Sequence, residues 1–118
     1  MRSTGALFED IALAHAQRDG LQLIARNFNC RFGELDLVMR DRDVVVFLEV
    51  RYRRSQGFGG GLDSVSAAKR DRLSKAASLF LQANPALGRQ PCRFDVMAIG
   101  GTPDSPSIDW RRNAFDTQ

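Results

Sequence analysis

Hydrophobic and polar positions follow two different periods along this chain, and the switches between them divide it into elements. Over residues 4 to 19, Ala12, Leu13 and Ala16 recur at helical spacing with Glu9 on the same face. Ser3 or Thr4 can cap that helix and Gly20 can end it. Small residues on the buried face would let it approach a sheet closely. Residues 21 to 28 read as a strand with Leu21, Leu23, Ala25 and Asn27 on one side. From Gly33 to Arg40 a period of two puts Glu34, Asp36 and Val38 on one face, with Leu35, Leu37 and Met39 on the other. Asp41, Arg42 and Asp43 form a hairpin turn into a third strand over residues 44 to 53. There Val45, Phe47, Glu49, Arg51 and Arg53 share one face, opposite Val44, Val46, Leu48, Val50 and Tyr52.

Ser55 to Ser64 carries Gly57, Gly59, Gly60 and Gly61 and reads as a loop. No Gly-Lys-Ser/Thr follows, so it is not a phosphate-binding P-loop. A second helix is predicted from Ser64 or Val65 to Ala83, just before Pro85. Leu73, Ala76, Ala77 and Phe80 form its apolar stripe; Lys69 borders that stripe, and Arg72 and Lys75 lie further toward solvent. Cys92 to Ile99 is a fourth strand with Arg93, Asp95, Met97 and Ile99 on one side, and Ser107 to Arg112 a short fifth. The predicted class is α/β: one domain over residues 1–118, order αβββαβ plus the short last strand, with a mixed sheet of four to five strands flanked by helices.

Composition narrows the function classes. The 118 residues are 43% hydrophobic and 26% charged, which fits one ordinary globular core. The longest apolar run is far short of a membrane span, and the first five residues lack the apolar segment of a signal peptide, so a cytoplasmic protein without a membrane partner is expected. Cys30 and Cys92 form no CxxC array and His15 is the sole histidine, which argues against a Cys/His zinc site and a Ser-His-Asp triad. Both cysteines are expected to be buried or half-buried thiols. Net charge is +3, and the basic residues cluster: Arg51, Arg53 and Arg54, then Lys69, Arg70, Arg72 and Lys75 on one helix. Such clusters suit phosphate contact; a solvated helix face and an edge patch are the plainer account.

The chemistry sits in Gly33-Glu34-Leu35-Asp36-Leu37-Val38 and Val44 to Arg51. Acids are depleted from strands, and a buried carboxylate must be paired, protonated or metal-bound. Glu49 interrupts an apolar run from Val44 to Val50. Metal-dependent phosphodiester cleavage needs hard oxygen ligands on a rigid platform and a positive group for transition-state charge. Asp36 on one strand, with Glu49 and a basic residue two positions on, meets that need; the ligand type selects Mg²⁺ or Mn²⁺. The alternative is an ion-pair cluster in which Arg51 neutralises either acid without metal. Glu9 either points to the sheet edge or serves the helix dipole. Asp95 reads as a supporting residue and Glu34 as solvent-facing. Phe58, Trp110 and Phe115 are open between exposed anchors and core.

Glu9, Gly33-Glu34-Leu35-Asp36-Leu37, Phe47-Leu48-Glu49-Val50-Arg51, Lys69, Arg93-Phe94-Asp95-Val96 and Asn113-Ala114-Phe115, in this order of elements, resemble the YraN-like bacterial proteins. The resemblance covers nearly the whole chain. That family is similar to archaeal Holliday junction resolvases, with the restriction-endonuclease-like PD-(D/E)xK fold. The resemblance implies cleavage or binding of DNA, branched or structured DNA included, and a homodimer for symmetric cutting. It implies Asp36 and Glu49 as metal ligands, with Glu9 nearby and the Leu48 or Val50 carbonyl as one more. Arg51 stands where the motif has lysine. Arginine stays protonated and cannot act as a base, yet it binds phosphate well. Lys69 is the candidate to take over the lysine's role. Arg51, Arg53, Arg54, Lys69, Arg72 and Lys75 would contact nucleic acid. A catalytically impaired binding module on the same fold is the alternative.

Overall fold

The computed structural model describes residues 3–53 and 65–115. The elements run α1 (Thr4–Arg18), β1 (Gln22–Cys30), β2 (Gly33–Asp41), β3 (Val44–Tyr52), α2 (Ala67–Ala83), α3 (Pro85–Gly88), β4 (Cys92–Gly101) and β5 (Pro106–Phe115). The class is α/β as expected: one five-stranded sheet in the order β1-β2-β3-β4-β5 with helices on its faces. All neighbouring strands pair antiparallel except β3 and β4, which are parallel. A parallel pair needs a crossover, and α2 lies within it. The last strand is not short. It spans ten residues, and Asn113 at φ 53° and a register shift opposite Phe94/Val96 let it bend and continue.

Each of the two long helices begins where a serine can hold a free N–H. Ser3 Oγ accepts from the Ala6 N–H and Ser66 Oγ from the Lys69 N–H, both at 3.1 Å. The second helix therefore opens at Ala67, later than residues 64 or 65. Ala12 and Ala16 are fully buried and let α1 sit close to the sheet, over Leu37, Met39, Val46, Leu48, Met97 and Ile99. The stripe Leu73, Ala76, Ala77 and Phe80 is the buried face of α2, packed on Leu35, Val38, Val45, Phe47 and Phe94. No helix among the described residues is long and apolar enough to cross a membrane.

Strict alternation fails at one end of the β1–β2 hairpin. Leu35 packs on the α2 side, whereas Leu37 and Met39 pack on the α1 side. Asn27, opposite this point on β1, has φ 52°, and β1 carries a register shift between Leu23 and Ala25. The hairpin twists at Asn27 and Asp36; Leu23, at the register shift of β1, is 39% exposed. This twist positions the acids described below.

Trp110 and Phe115 are core-packed rather than exposed anchors; Phe58 lies outside the described residues. Phe115 stacks on Phe94 at 4.9 Å, and the Trp110 indole N–H donates to Asp95 at 3.0 Å. Cys30 is half-buried, but Cys92, the first residue of β4, is exposed; both are free thiols.

Asp95 has no exposed surface. Its carboxylate also accepts from Arg93 Nε at 3.0 Å and from the Asn113 N–H at 2.9 Å, so it clamps the bend of β5 to β4. Removing one member of a buried charged network leaves its partners unpaired, at a cost of about 3 kcal/mol or more. Asp95→Ala is expected to lose that much in urea unfolding. A loss under about 1 kcal/mol would mean the network is not holding the strand.

Candidate metal and phosphate site

The site forms where β2 and β3 part. Their ladder runs from Asp41↔Val44 to Leu37↔Leu48 and goes no further, while β3 stays paired with β4 up to Tyr52↔Ile99. The Val50 N–H would then lack a β2 carbonyl, and Asp36 Oδ2 accepts it instead at 2.9 Å. Placed there, the Asp36 carboxyl stands beside the Glu49 carboxyl. Glu49 is only 6% exposed, and its Oε2 meets the Lys69 ammonium at 2.6 Å.

Two further acids stand close to Asp36. Carboxylate oxygens of Glu9, Glu34 and Asp36 lie within 4.8 Å of one another. Opposite ligands around an octahedral Mg²⁺ stand about 4.2 Å apart, so small side-chain rotations bring this set to ligand spacing. The Asn27 amide donates to Glu9 at 2.9 Å and to Glu34 at 3.5 Å, tying them together. Arg26 pairs with Asp10 at 3.0 Å and stands 3.7 Å from Glu9. The sheet-edge orientation of Glu9 is therefore the one found.

These contacts set the state of Asp36. Burial first, then the hydrogen bond with Glu49 and the Glu49 charge, push its carboxyl up from 3.8 to about 9; the Val50 N–H pulls the other way and Glu9 adds a further push. At neutral pH Asp36 keeps its proton. A hard cation can replace that proton, and the oxygens of Glu9, Glu34 and Asp36 are a donor set that fits Mg²⁺ or Mn²⁺; Glu49, held by Lys69, stands outside that close group.

A cleft of about 490 Å³ opens over the acids. Among the described residues it is lined by the acids Glu34, Asp36 and Glu49 and by the cations Arg51, Lys69 and Arg72. Lys69 sits in the first turn of α2, the wrong end of the helix dipole for a cation. The pair with Glu49 offsets that cost. Arg51 Nη1 is buried without a hydrogen-bond partner. Arg51 forms no ion pair with Asp36 or Glu49; Glu49 does stand in an ion pair, with Lys69 in place of an arginine.

Not every expected basic residue reaches the cleft. Arg53 turns toward β5, 3.9 Å from Asp109, because its carbonyl and side chain lie against Gly100 of β4. Lys75 pairs with Asp71 at 3.0 Å and lies 5.7 Å from the Phe32 ring at the cleft's rim. Arg54 is outside the described residues. Asp95 stands apart from the cleft. Glu34, set aside as solvent-facing, is exposed but belongs to the acid group; its place two residues before Asp36 was the available signal. Nothing in the pattern singled out Asn27.

The model of "Uncharacterised protein family UPF0102" matches residues 8–99. A UPF0102 protein of Stutzerimonas stutzeri (strain A1501) is 51% identical over 116 residues, covering 98% of this chain and 97% of its own. One of Pseudomonas putida (strain GB-1) is 54% identical over 113 residues, covering 95% and 92%. The chain belongs to the UPF0102 family. These are the YraN-like proteins to which the motifs pointed. In this UPF0102 member the matched span runs from Phe8 of α1 to Ile99 of β4, so it holds the whole cleft and omits β5.

Proposed function

We propose that this UPF0102 protein is a Mg²⁺- or Mn²⁺-dependent endonuclease acting on DNA, with branched or structured DNA as its substrate class and a homodimer as the cutting form. One observation carries the reading. The Asp36 and Glu49 carboxyls adjoin each other in a cleft that Arg51, Lys69 and Arg72 also line. Acids this close repel each other once ionised, and they become favourable around a hard cation.

Asp36, Glu49 and Glu9 would hold the cation, with the Val50 carbonyl as a further oxygen and Glu34 beside them. A bound divalent cation supplies polarisation of a phosphoryl oxygen and acidification of water. Arg51 offers its unpartnered N–H to a phosphate oxygen of the scissile group. Lys69 puts a compact positive charge on the same side, where negative charge grows as the phosphorus takes on a fifth oxygen. Arg72 and Lys75 contact the flanking backbone. The water oxygen joins phosphorus, the bond to the leaving sugar oxygen breaks, and that oxygen takes up a proton.

Arg51 in the motif's lysine position favours a second reading, a nucleic-acid-binding module without turnover. Nicking of branched and linear DNA in Mg²⁺ or Mn²⁺, lost in EDTA, is the expected result. Calorimetric titration of Mn²⁺ separates the readings: binding that Glu49→Gln removes supports the enzyme. No metal binding, with DNA binding intact in EDTA, would leave only the module.

A further inference from the structure

The cleft carries two aromatic rings that the chemistry above does not use. Phe32 lies in the turn between β1 and β2, and Tyr52, the chain's single tyrosine, ends β3; both line the cleft. Phe32 joins neither core cluster. Two cations lie by its ring, the Arg31 guanidinium at 4.9 Å and the Lys75 ammonium at 5.7 Å from the ring centre. Tyr52 is 47% exposed, unusual for so large a ring. It is rigidly backed: its ring lies 4.5 Å from Phe8, which is 2% exposed and anchored in the α1 core.

A cleft that only gripped duplex backbone would need cations and hydrogen-bond donors. The bases of a paired duplex are stacked on each other and present no faces to a side chain. Aromatic rings beside a charged groove serve strands whose bases are unpaired, since every base has a face to stack. The cations now over Phe32 are well placed for this exchange. A base can take their place on the ring, and Arg31 and Lys75 can then hold that nucleotide's phosphates.

We infer that Phe32 and Tyr52 are stacking platforms for unpaired nucleotides beside the acid cluster, so that the preferred substrate is DNA with a single-stranded segment, such as a fork, gap or free strand, over a fully paired duplex. This rests on the nucleic-acid reading above.

The test is fluorescence anisotropy in Ca²⁺ buffer with a single strand, a fork and the duplex of the same sequence. The wild type is expected to bind the strand and the fork about tenfold more tightly than the duplex. Phe32→Leu and Tyr52→Leu, which keep apolar bulk, should each lose most of that preference and leave duplex affinity and salt dependence unchanged. Phe32→Tyr and Tyr52→Phe should retain it. A fluorescent purine analogue in the single strand should change its emission on binding to the wild type, a readout that needs no variant. Equal affinity for strand and duplex, equal losses on both in the leucine variants, or unchanged emission at saturation would overturn the platforms and leave the nuclease reading standing. No binding to any of the three DNAs would overturn both.

Discussion

Asp36→Asn is expected to abolish metal-dependent nicking, by at least about 10³-fold, and to make the metal-free protein more stable at neutral pH. The two effects share one cause. Asn is the shape of a protonated Asp: its oxygen can still accept the Val50 N–H and its amide can donate to Glu49, but it carries no charge for a cation. The folded carboxyl is raised to about 9 from 3.8, chiefly by burial and Glu49. Above pH 4 the unfolded chain gives up this proton and the folded chain keeps it. Stability of the metal-free wild type therefore falls as pH rises from about 4 to about 9. At neutral pH the deficit is about 2 kcal/mol once solvent access to this half-buried group is allowed for. Thermal melts in EDTA across that range should show the wild type falling and Asp36→Asn flat by comparison. Mn²⁺ should reverse the order, because binding displaces the proton and gains affinity with pH. If the variant melts lower at every pH, the carboxyl is a structural acceptor and the acid cluster needs another account.

Much of this was legible from periodicity. A helical stripe of Leu73, Ala76, Ala77 and Phe80 has one sensible burial, and Val45, Phe47 and Glu49 could only share a face. The acids stood out because a strand core has no other reason to hold Glu49. What was not legible is where a strand leaves its partner. Nothing in Leu35-Asp36-Leu37 announces that pairing with β3 stops at Leu37, so period two put Leu35 on the wrong face. The same twist recruited Glu34 and Asn27. Likewise Arg53 follows Arg51 in the pattern, yet the end of β3 lies against Gly100 and turns it away. Trp110 and Phe115 depended on the length of β5, which a bend at Asn113 set.

Lys69→Met is expected to slow single-turnover cleavage about 10²-fold while Mn²⁺ binding holds or tightens. Lys69 is bound to the acid group through Glu49 at 2.6 Å, so its removal frees that carboxylate for a cation and deprives the reacting phosphate of a positive neighbour. Arg51 fills a different role. Its buried Nη1 lacks a partner, and a planar guanidinium bridges phosphate oxygens well but cannot concentrate charge as an ammonium does. The pair therefore predicts an asymmetry. Arg51→Lys should stay within a few-fold of the wild-type rate, and Arg51→Met should weaken DNA binding more than it slows the bound complex. Lys69→Arg should recover only part of the loss, since the wider group must fit between Glu49 and the cleft wall. The opposite pattern, with Lys69→Met cutting normally and Arg51→Met inert once bound, would return the motif's charge to position 51 and reduce Lys69 to a structural partner of Glu49.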